Sequence, residues 1–141
     1  MTTTAPLAMA SPRRAPGSVL TRLHLVVAGA YAACLAIALG RAASLSGFLY
    51  LPHQGDEYTG SADIWPGAAY LVWWVLILTI GLAPVFAFVA AIVSVVRLAT
   101  PRMRAEPARW RTLLATTVLS VLVFAAALTP PVATILVWLL D

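Results

Sequence analysis

Residues 67–98 read GAAYLVWWVLILTIGLAPVFAFVAAIVSVVRL, and Arg97 is the only charged side chain in this run. A helix rises about 1.5 Å per residue, and about 20 apolar residues cross a hydrocarbon core of about 30 Å. The run therefore predicts one membrane span with length to spare. Two separate spans are the alternative, but each half has only about 15 residues, too few to cross.

Proline and glycine lie in the middle of this predicted span, at Gly81 and Pro84. A proline removes one backbone hydrogen bond and clashes with the carbonyl four residues earlier, here at Ile80. We expect a kink between Ile80 and Pro84.

A first span is predicted at about residues 19–40, which are apolar apart from Arg22 and His24. Ser18 is a candidate N-cap, and Gly40 is a candidate for the residue that ends the helix. A cleaved signal peptide is the alternative. Its apolar region usually has about 7 to 15 residues, so this longer run favours a retained helix.

A third span is predicted at about residues 110–129, before the Pro130-Pro131 pair interrupts the apolar run. Thr129 can cap a short helix over residues 130–140, which we expect to be kinked or to lie at the membrane interface. Residues 1–17 are rich in threonine and proline and predict a disordered tail.

The composition agrees with an all-α membrane protein of three transmembrane helices. The chain of 141 residues is 62% hydrophobic and 10% charged, with a mean hydropathy of +0.93. Soluble domains are about a quarter charged and about half apolar. The three-span domain is predicted to occupy residues 18–141.

Arginine placement predicts the orientation, because positive charge flanking spans marks the cytoplasmic side. Of the nine basic residues, all arginine, only Arg41 lies beyond the first span on the side of the acidic loop. The amino terminus is therefore predicted to be cytoplasmic and the carboxyl terminus external. The absence of lysine and the frequent alanine are typical of actinobacteria, which predicts a bacterial inner (plasma) membrane.

The five arginines between the second and third spans are predicted to contact lipid headgroups, since anionic lipids attract juxtamembrane basic residues. A pure orientation signal is the alternative. Because this charge lies beside spans, nucleic acid is not expected as a partner. The five residues are Arg97, Arg102, Arg104, Arg109 and Arg111.

The outer loop holds the one candidate metal site, formed by His53, Asp56, Glu57 and Asp63, whose nitrogen and oxygen atoms suit a divalent cation. An ordinary solvated loop, with Asp63 capping the second span, is the alternative and the preferred interpretation.

No catalytic residue or cofactor site is predicted. The spans contain no Asp, Glu or Lys, which argues against a self-contained pump or ion-coupled carrier. The two histidines, His24 and His53, lie near opposite faces and cannot together ligate a haem. No phosphate-binding, nucleophile-elbow or zinc-protease motif is present.

Small residues recur at every fourth position of the first two spans, and this spacing predicts close helix contacts. The abundance of alanine in the chain is the alternative explanation. The first stripe is Ala28, Ala32, Ala36 and Gly40, and the second is Ala83, Ala87 and Ala91.

The segments GSADIWPG (60–67) and AAYLVWW (68–74) give the chain a resemblance to small uncharacterised membrane proteins of actinobacteria. That resemblance implies no activity and no residue roles. From the residues we expect a non-enzymatic interaction or accessory subunit, with a membrane-protein partner or a homo-oligomer. The alternative is a transport or envelope-stress component whose outer loop senses or binds a ligand.

Overall fold

A computed structural model describes residues 17–56 and 62–141, and their regular structure is helical. Helices α1, α2 and α4 are long and apolar enough to cross a membrane, by length and composition. The three predicted spans are therefore confirmed as helices, while the predicted tail lies, apart from Gly17, outside the described residues. The elements are α1 (Gly17–Ser46), a 3-10 turn (Ala62–Ile64), α2 (Ala69–Leu98), α3 (Pro101–Arg104), α4 (Pro107–Ala127) and α5 (Pro130–Leu140).

The prediction that Gly40 ends the first helix is wrong, because α1 continues to Ser46. Gly47 ends it instead, with a φ of +80°, which a residue without Cβ adopts at no steric cost. Its N–H donates to the carbonyl of Ala43 at 2.9 Å, the hydrogen bond of a left-handed helix cap. Ser18 likewise lies inside α1 and is not its N-cap.

Helix α2 runs through Pro84 as one element, so the alternative of two short spans is wrong. The helix begins at Ala69, two residues later than predicted, after Gly67 with a φ of +59°. Asp63 does not cap it, because that residue belongs to the separate 3-10 turn and the N-cap position is held by Ala68. The kink itself stays a prediction.

Helices α4 and α5 together run antiparallel along α2. Near the end of α2, Leu98 and Leu114 line one groove. Further along, the rings of Phe88 and Phe124 stack with their centroids 4.6 Å apart. Beyond the break, the indole N–H of Trp73 donates to the carbonyl of Leu139 at 2.9 Å. Helix α5 therefore packs along α2 beyond the break, and its position relative to the membrane interface stays a prediction.

The predicted interruption at Pro130-Pro131 is confirmed, and its backbone is satisfied locally. Thr129 has extended backbone angles, and its N–H and hydroxyl both donate to the carbonyl of Ala126, at 3.0 and 2.6 Å. Its own carbonyl accepts from the N–H groups of Val132 and Ala133, each at 3.2 Å. The hydroxyl of Thr129 thus seals the end of α4, whereas we expected it to cap the start of α5.

Of the two predicted small-residue stripes, the one on α2 is buried and the one on α1 is mostly exposed. Ala83, Ala87 and Ala91 of α2 are buried, as expected.

On α1 only Ala28 of the predicted stripe is buried, whereas Ala32, Ala36 and Gly40 are exposed. A strict four-residue step drifts about 40° around a helix at each repeat. On α1 this drift carries the stripe off the contact face after Ala28, whereas the three-residue stripe of α2 stays within its buried face. The observed buried face advances in steps of three and four. Its members are His24, Ala28, Tyr31, Cys34, Ala38 and Ala42.

Candidate functional site

Three polar side chains meet in the interior of the bundle, and we call them the polar clamp: His24 of α1, Ser94 of α2 and Ser120 of α4. The Nδ1 atom of His24 lies 2.5 Å from the Ser120 hydroxyl, and Nε2 lies 2.7 Å from the Ser94 hydroxyl. The exposed fractions of the three side chains are 0%, 0% and 1%. One imidazole therefore joins all three long helices.

In each of the three helices, the clamp residue lies on the buried face. His24 precedes Ala28 on the buried face of α1, and Ser94 follows Ala87 and Ala91 on that of α2. Small neighbours let the helix backbones approach closely enough for short side chains to meet. Ser120 lies one turn after the buried Thr116 of α4.

Hydrogen-bond chemistry explains why serine suits both sides of the ring. A neutral imidazole carries one N–H donor and one acceptor nitrogen, whereas a hydroxyl can donate or accept. In either tautomer of His24, one serine accepts from the ring and the other donates to it. All of the ring's hydrogen-bonding capacity is thereby satisfied inside an apolar bundle, where an unpaired polar atom is costly.

A serine bonded to histidine is also the nucleophile arrangement of many hydrolases. There a carboxylate orients the imidazole through its other nitrogen and a substrate reaches the hydroxyl. In the clamp the second nitrogen of His24 is taken by another serine, and both hydroxyls are enclosed. The arrangement therefore links three helices through enclosed side chains.

Sequence reasoning located His24 near one membrane face but did not connect it to Ser94 and Ser120, because a hydroxyl within a span can bond its own helix or a neighbouring one. Thr116 and Thr117 bond their own helix, since both hydroxyls donate to the carbonyl of Leu113, at 3.1 and 2.7 Å. The sequence signal that could have connected His24 with Ser94 was their similar depth in the predicted spans. His24 and Ser94 each lie within three residues of an arginine that marks the same end of the bundle, Arg22 and Arg97.

A second group of contacts closes the opposite end of the bundle around Arg41. One of its guanidinium nitrogens donates to the carbonyl of Ile64 at 2.5 Å, and the guanidinium carbon lies 5.6 Å from the centre of the Trp65 ring. Arginine stacks favourably on aromatic faces. These contacts fasten the start of the 62–68 connection to the end of α1.

The last residue of the chain fastens the outer loop as well. One carboxylate oxygen of Asp141 accepts from the backbone N–H of Gly55 at 2.9 Å, and the other accepts from the Gln54 amide at 3.5 Å. The loop tip is thereby tied to the end of α5.

The aromatic residues at this end of the bundle separate into two groups. Trp65 and Trp138 are buried in the core, at 7% and 0% exposure, and so do not face the interface. Tyr70, Trp73 and Trp74 form a cluster with centroids 5.0 to 6.3 Å apart. Tyr70 and Trp74 are exposed, as residues of a membrane-interface belt are.

The candidate metal site is only partly within the described residues, because Glu57 lies outside them. Asp56 accepts from the backbone N–H of His53 at 2.7 Å, so its carboxylate stabilises the loop turn. Asp63 lies in the 3-10 turn. In residues 17–56 and 62–141 no three His, Cys, Asp or Glu residues come close enough to hold a metal ion. The four-residue site stays a prediction.

The segment that holds the five arginines between the second and third spans, which we call the arginine loop, contains the short helix α3. Arg109 pairs with Glu106 at 2.5 Å, and both side chains are about half exposed. An exposed ion pair three residues apart contributes little to stability. The five arginines of this loop are all exposed, which leaves them accessible to lipid headgroups or to solvent.

Comparison with family models, curated proteins and solved structures finds no match to this chain.

Proposed function

We propose that this chain is a three-span protein of the bacterial inner membrane that acts as a non-enzymatic interaction or accessory subunit. The supporting observation is the polar clamp. Its histidine and two serines, three of the buried polar residues of the bundle, are engaged with one another across α1, α2 and α4. The interior works as a rigid core, and partners are recognised by the outer surfaces of the bundle.

Three apolar helices support membrane location. Among the residues that the structure describes, thirty large hydrophobic side chains are exposed in the isolated chain, from Val19 to Leu140. Such an apolar exterior is stable in a lipid bilayer, where helix association depends on packing and interhelical hydrogen bonds. Close packing of Ala83 and Ala87 against α1 and α4, together with the clamp, supplies both.

The proposed orientation places the amino terminus and the arginine loop in the cytoplasm. Eight of the nine arginines fall on that side, and an odd number of spans places the two termini on opposite sides. Alkaline phosphatase fused after Arg104 is expected to be inactive, and a fusion at Glu57 is expected to be active. The reverse pattern would overturn the orientation.

The accessory function is tested by purifying the full chain in mild detergent from its own cells, followed by native mass spectrometry. A second polypeptide in fixed stoichiometry, or a defined homo-oligomer, supports the proposal. Photo-crosslinkers at the exposed Val89 and Val121, compared in the same cells, then locate the face that contacts it. A monomer that moves a solute across proteoliposomes would instead favour the transport alternative.

A further inference from the structure

A groove of about 640 Å³ lies between the end of α2 and the start of α4. Its volume is within the range of about 300 to 1,000 Å³ that is typical of small-molecule sites. The apolar part of its lining includes Val95, Leu98 and Leu114, and Trp110 contributes an aromatic ring. Arg104 and Arg111 line it as well. We propose that this groove binds one anionic phospholipid, with an acyl chain along the apolar side chains and the phosphate between Arg104 and Arg111.

Of the five arginines in the loop, only Arg104 and Arg111 line the groove, and their charge is not neutralised by a described carboxylate. Within the described part of the chain, the only ion pair joins Arg109 to Glu106, so the loop's single carboxylate is engaged elsewhere. Arg104 and Arg111 are exposed and have no described carboxylate within ion-pair distance. A guanidinium binds phosphate oxygens through two parallel hydrogen bonds, which makes arginine a strong phosphate ligand.

The order of chemical groups in the groove matches that of a phospholipid in a bilayer. Val95 and Leu98 lie in the last turn of α2 on either side of Arg97, and the α3 segment, which carries Arg104, follows. Trp110 is a residue type that favours the headgroup level of a membrane. A soluble phosphate would gain nothing from the aliphatic wall, whereas an acyl chain would bury against it.

A second copy of this chain fits the groove less well. The other described acidic residues, Asp56, Asp63 and Asp141, lie at the far end of α2, which is about 45 Å long. A parallel neighbour therefore brings no free carboxylate to Arg104 and Arg111. The anionic lipid is the occupant that supplies the missing charge.

This inference rests on the proposed membrane location, and the test separates the two. Full-length protein is purified, stripped of lipid, and titrated with phosphatidylglycerol or phosphatidylcholine under native mass spectrometry. We expect one phosphatidylglycerol per chain, bound about tenfold or more tightly than phosphatidylcholine. Equal binding of the two lipids would overturn the inference. Extraction of wild-type membranes with alkaline carbonate is run alongside, and release of the protein would overturn the membrane location as well.

Charge-matched variants test which arginines bind. The double variant Arg104→Gln/Arg111→Gln is expected to lose about 30-fold in phosphatidylglycerol affinity, from about 1 kcal/mol per basic residue. The control Arg102→Gln/Arg109→Gln removes the same charge from residues that do not line the groove, and a change below about threefold is expected. Equal losses in the two variants would show a diffuse electrostatic attraction and contradict a defined site.

The apolar wall is tested with charge unchanged. Leu114→Trp fills the groove and should weaken phosphatidylglycerol binding by about tenfold or more, whereas Leu119→Trp, on the same helix but outside the groove, should not. A large excess of inorganic phosphate should fail to displace the lipid. Displacement by phosphate, or an unchanged affinity in Leu114→Trp, would mean that the arginines bind an anion without a lipid chain.

Discussion

Replacing the two serines of the polar clamp should lower the free energy of unfolding more than replacing its histidine. This difference tests most directly whether the clamp stabilises the bundle. In Ser94→Ala/Ser120→Ala, both ring nitrogens of His24 lose their partners at a site with no exposed surface. A buried polar group left unpaired costs about 1 to 3 kcal/mol, so the double variant should lose about 2 to 6 kcal/mol of unfolding free energy.

Removing the histidine should cost less, although it breaks the same two hydrogen bonds. In His24→Leu, the two serine hydroxyls can turn to the backbone carbonyls four residues earlier in their own helices. Leucine also restores apolar contact at the centre of the bundle. Interhelical hydrogen bonds in membrane proteins average about 0.6 kcal/mol each, which gives a loss of about 1 kcal/mol for the pair.

Unfolding free energies in a mixed-detergent titration measure both losses. Thr112→Ala is the control, because that exposed hydroxyl bonds only the carbonyl of Ala108 in its own helix, and it should change stability by less than about 0.5 kcal/mol. A double-mutant cycle between His24 and Ser94 should give a coupling of about 0.5 kcal/mol or more. If His24→Leu costs as much as the double serine variant, unpaired ring nitrogens are not the source of the larger loss. If the coupling is absent, the clamp does not hold the helices together.

The remaining predictions concern helix register, the end of α1 and the outer loop. Ala38→Leu, at a position with 0% exposure, should cost about 1 to 3 kcal/mol by overpacking, whereas Ala36→Leu, on the exposed face, should be nearly neutral in the same titration. Gly47→Ala should lose about 1 to 2 kcal/mol because φ is +80°, whereas Gly40→Ala should gain up to about 1 kcal/mol because Gly40 is helical with open space around a new Cβ; equal signs would contradict the assignment of Gly47 as the cap. Replacing His53 and Glu57 together with alanine should leave metal content and melting temperature unchanged, because the Asp56 carboxylate is engaged with the loop backbone. Stoichiometric zinc or manganese, lost on that replacement, would show a metal site.

The sequence alone predicted how many helices could cross a membrane and where the third is interrupted. Hydrocarbon thickness requires about 20 apolar residues, and the backbone of each span must satisfy its own hydrogen bonds, so both constraints are local. The Pro130-Pro131 break follows from the same local rule, because proline has no N–H to donate.

The exact ends of the helices were predicted less well. Gly40 and Gly47 are both compatible with a helix end in the sequence. Only the backbone geometry shows that Gly47 adopts the left-handed conformation while Gly40 continues the helix. A glycine can end a helix but does not have to, so the sequence left the choice open.

Only the tertiary structure decided which residues of each helix face inward and which of them meet in the clamp. On a helix that is apolar on all sides, lipid and protein interior look alike, so a hydrophobic pattern does not distinguish Ala36 from Ala38. The clamp joins residues 70 and 96 positions apart, and its serines resemble any hydroxyl that bonds its own helix. The depth and rotation of three packed helices bring His24, Ser94 and Ser120 to one point, where both nitrogens of the ring are hydrogen-bonded.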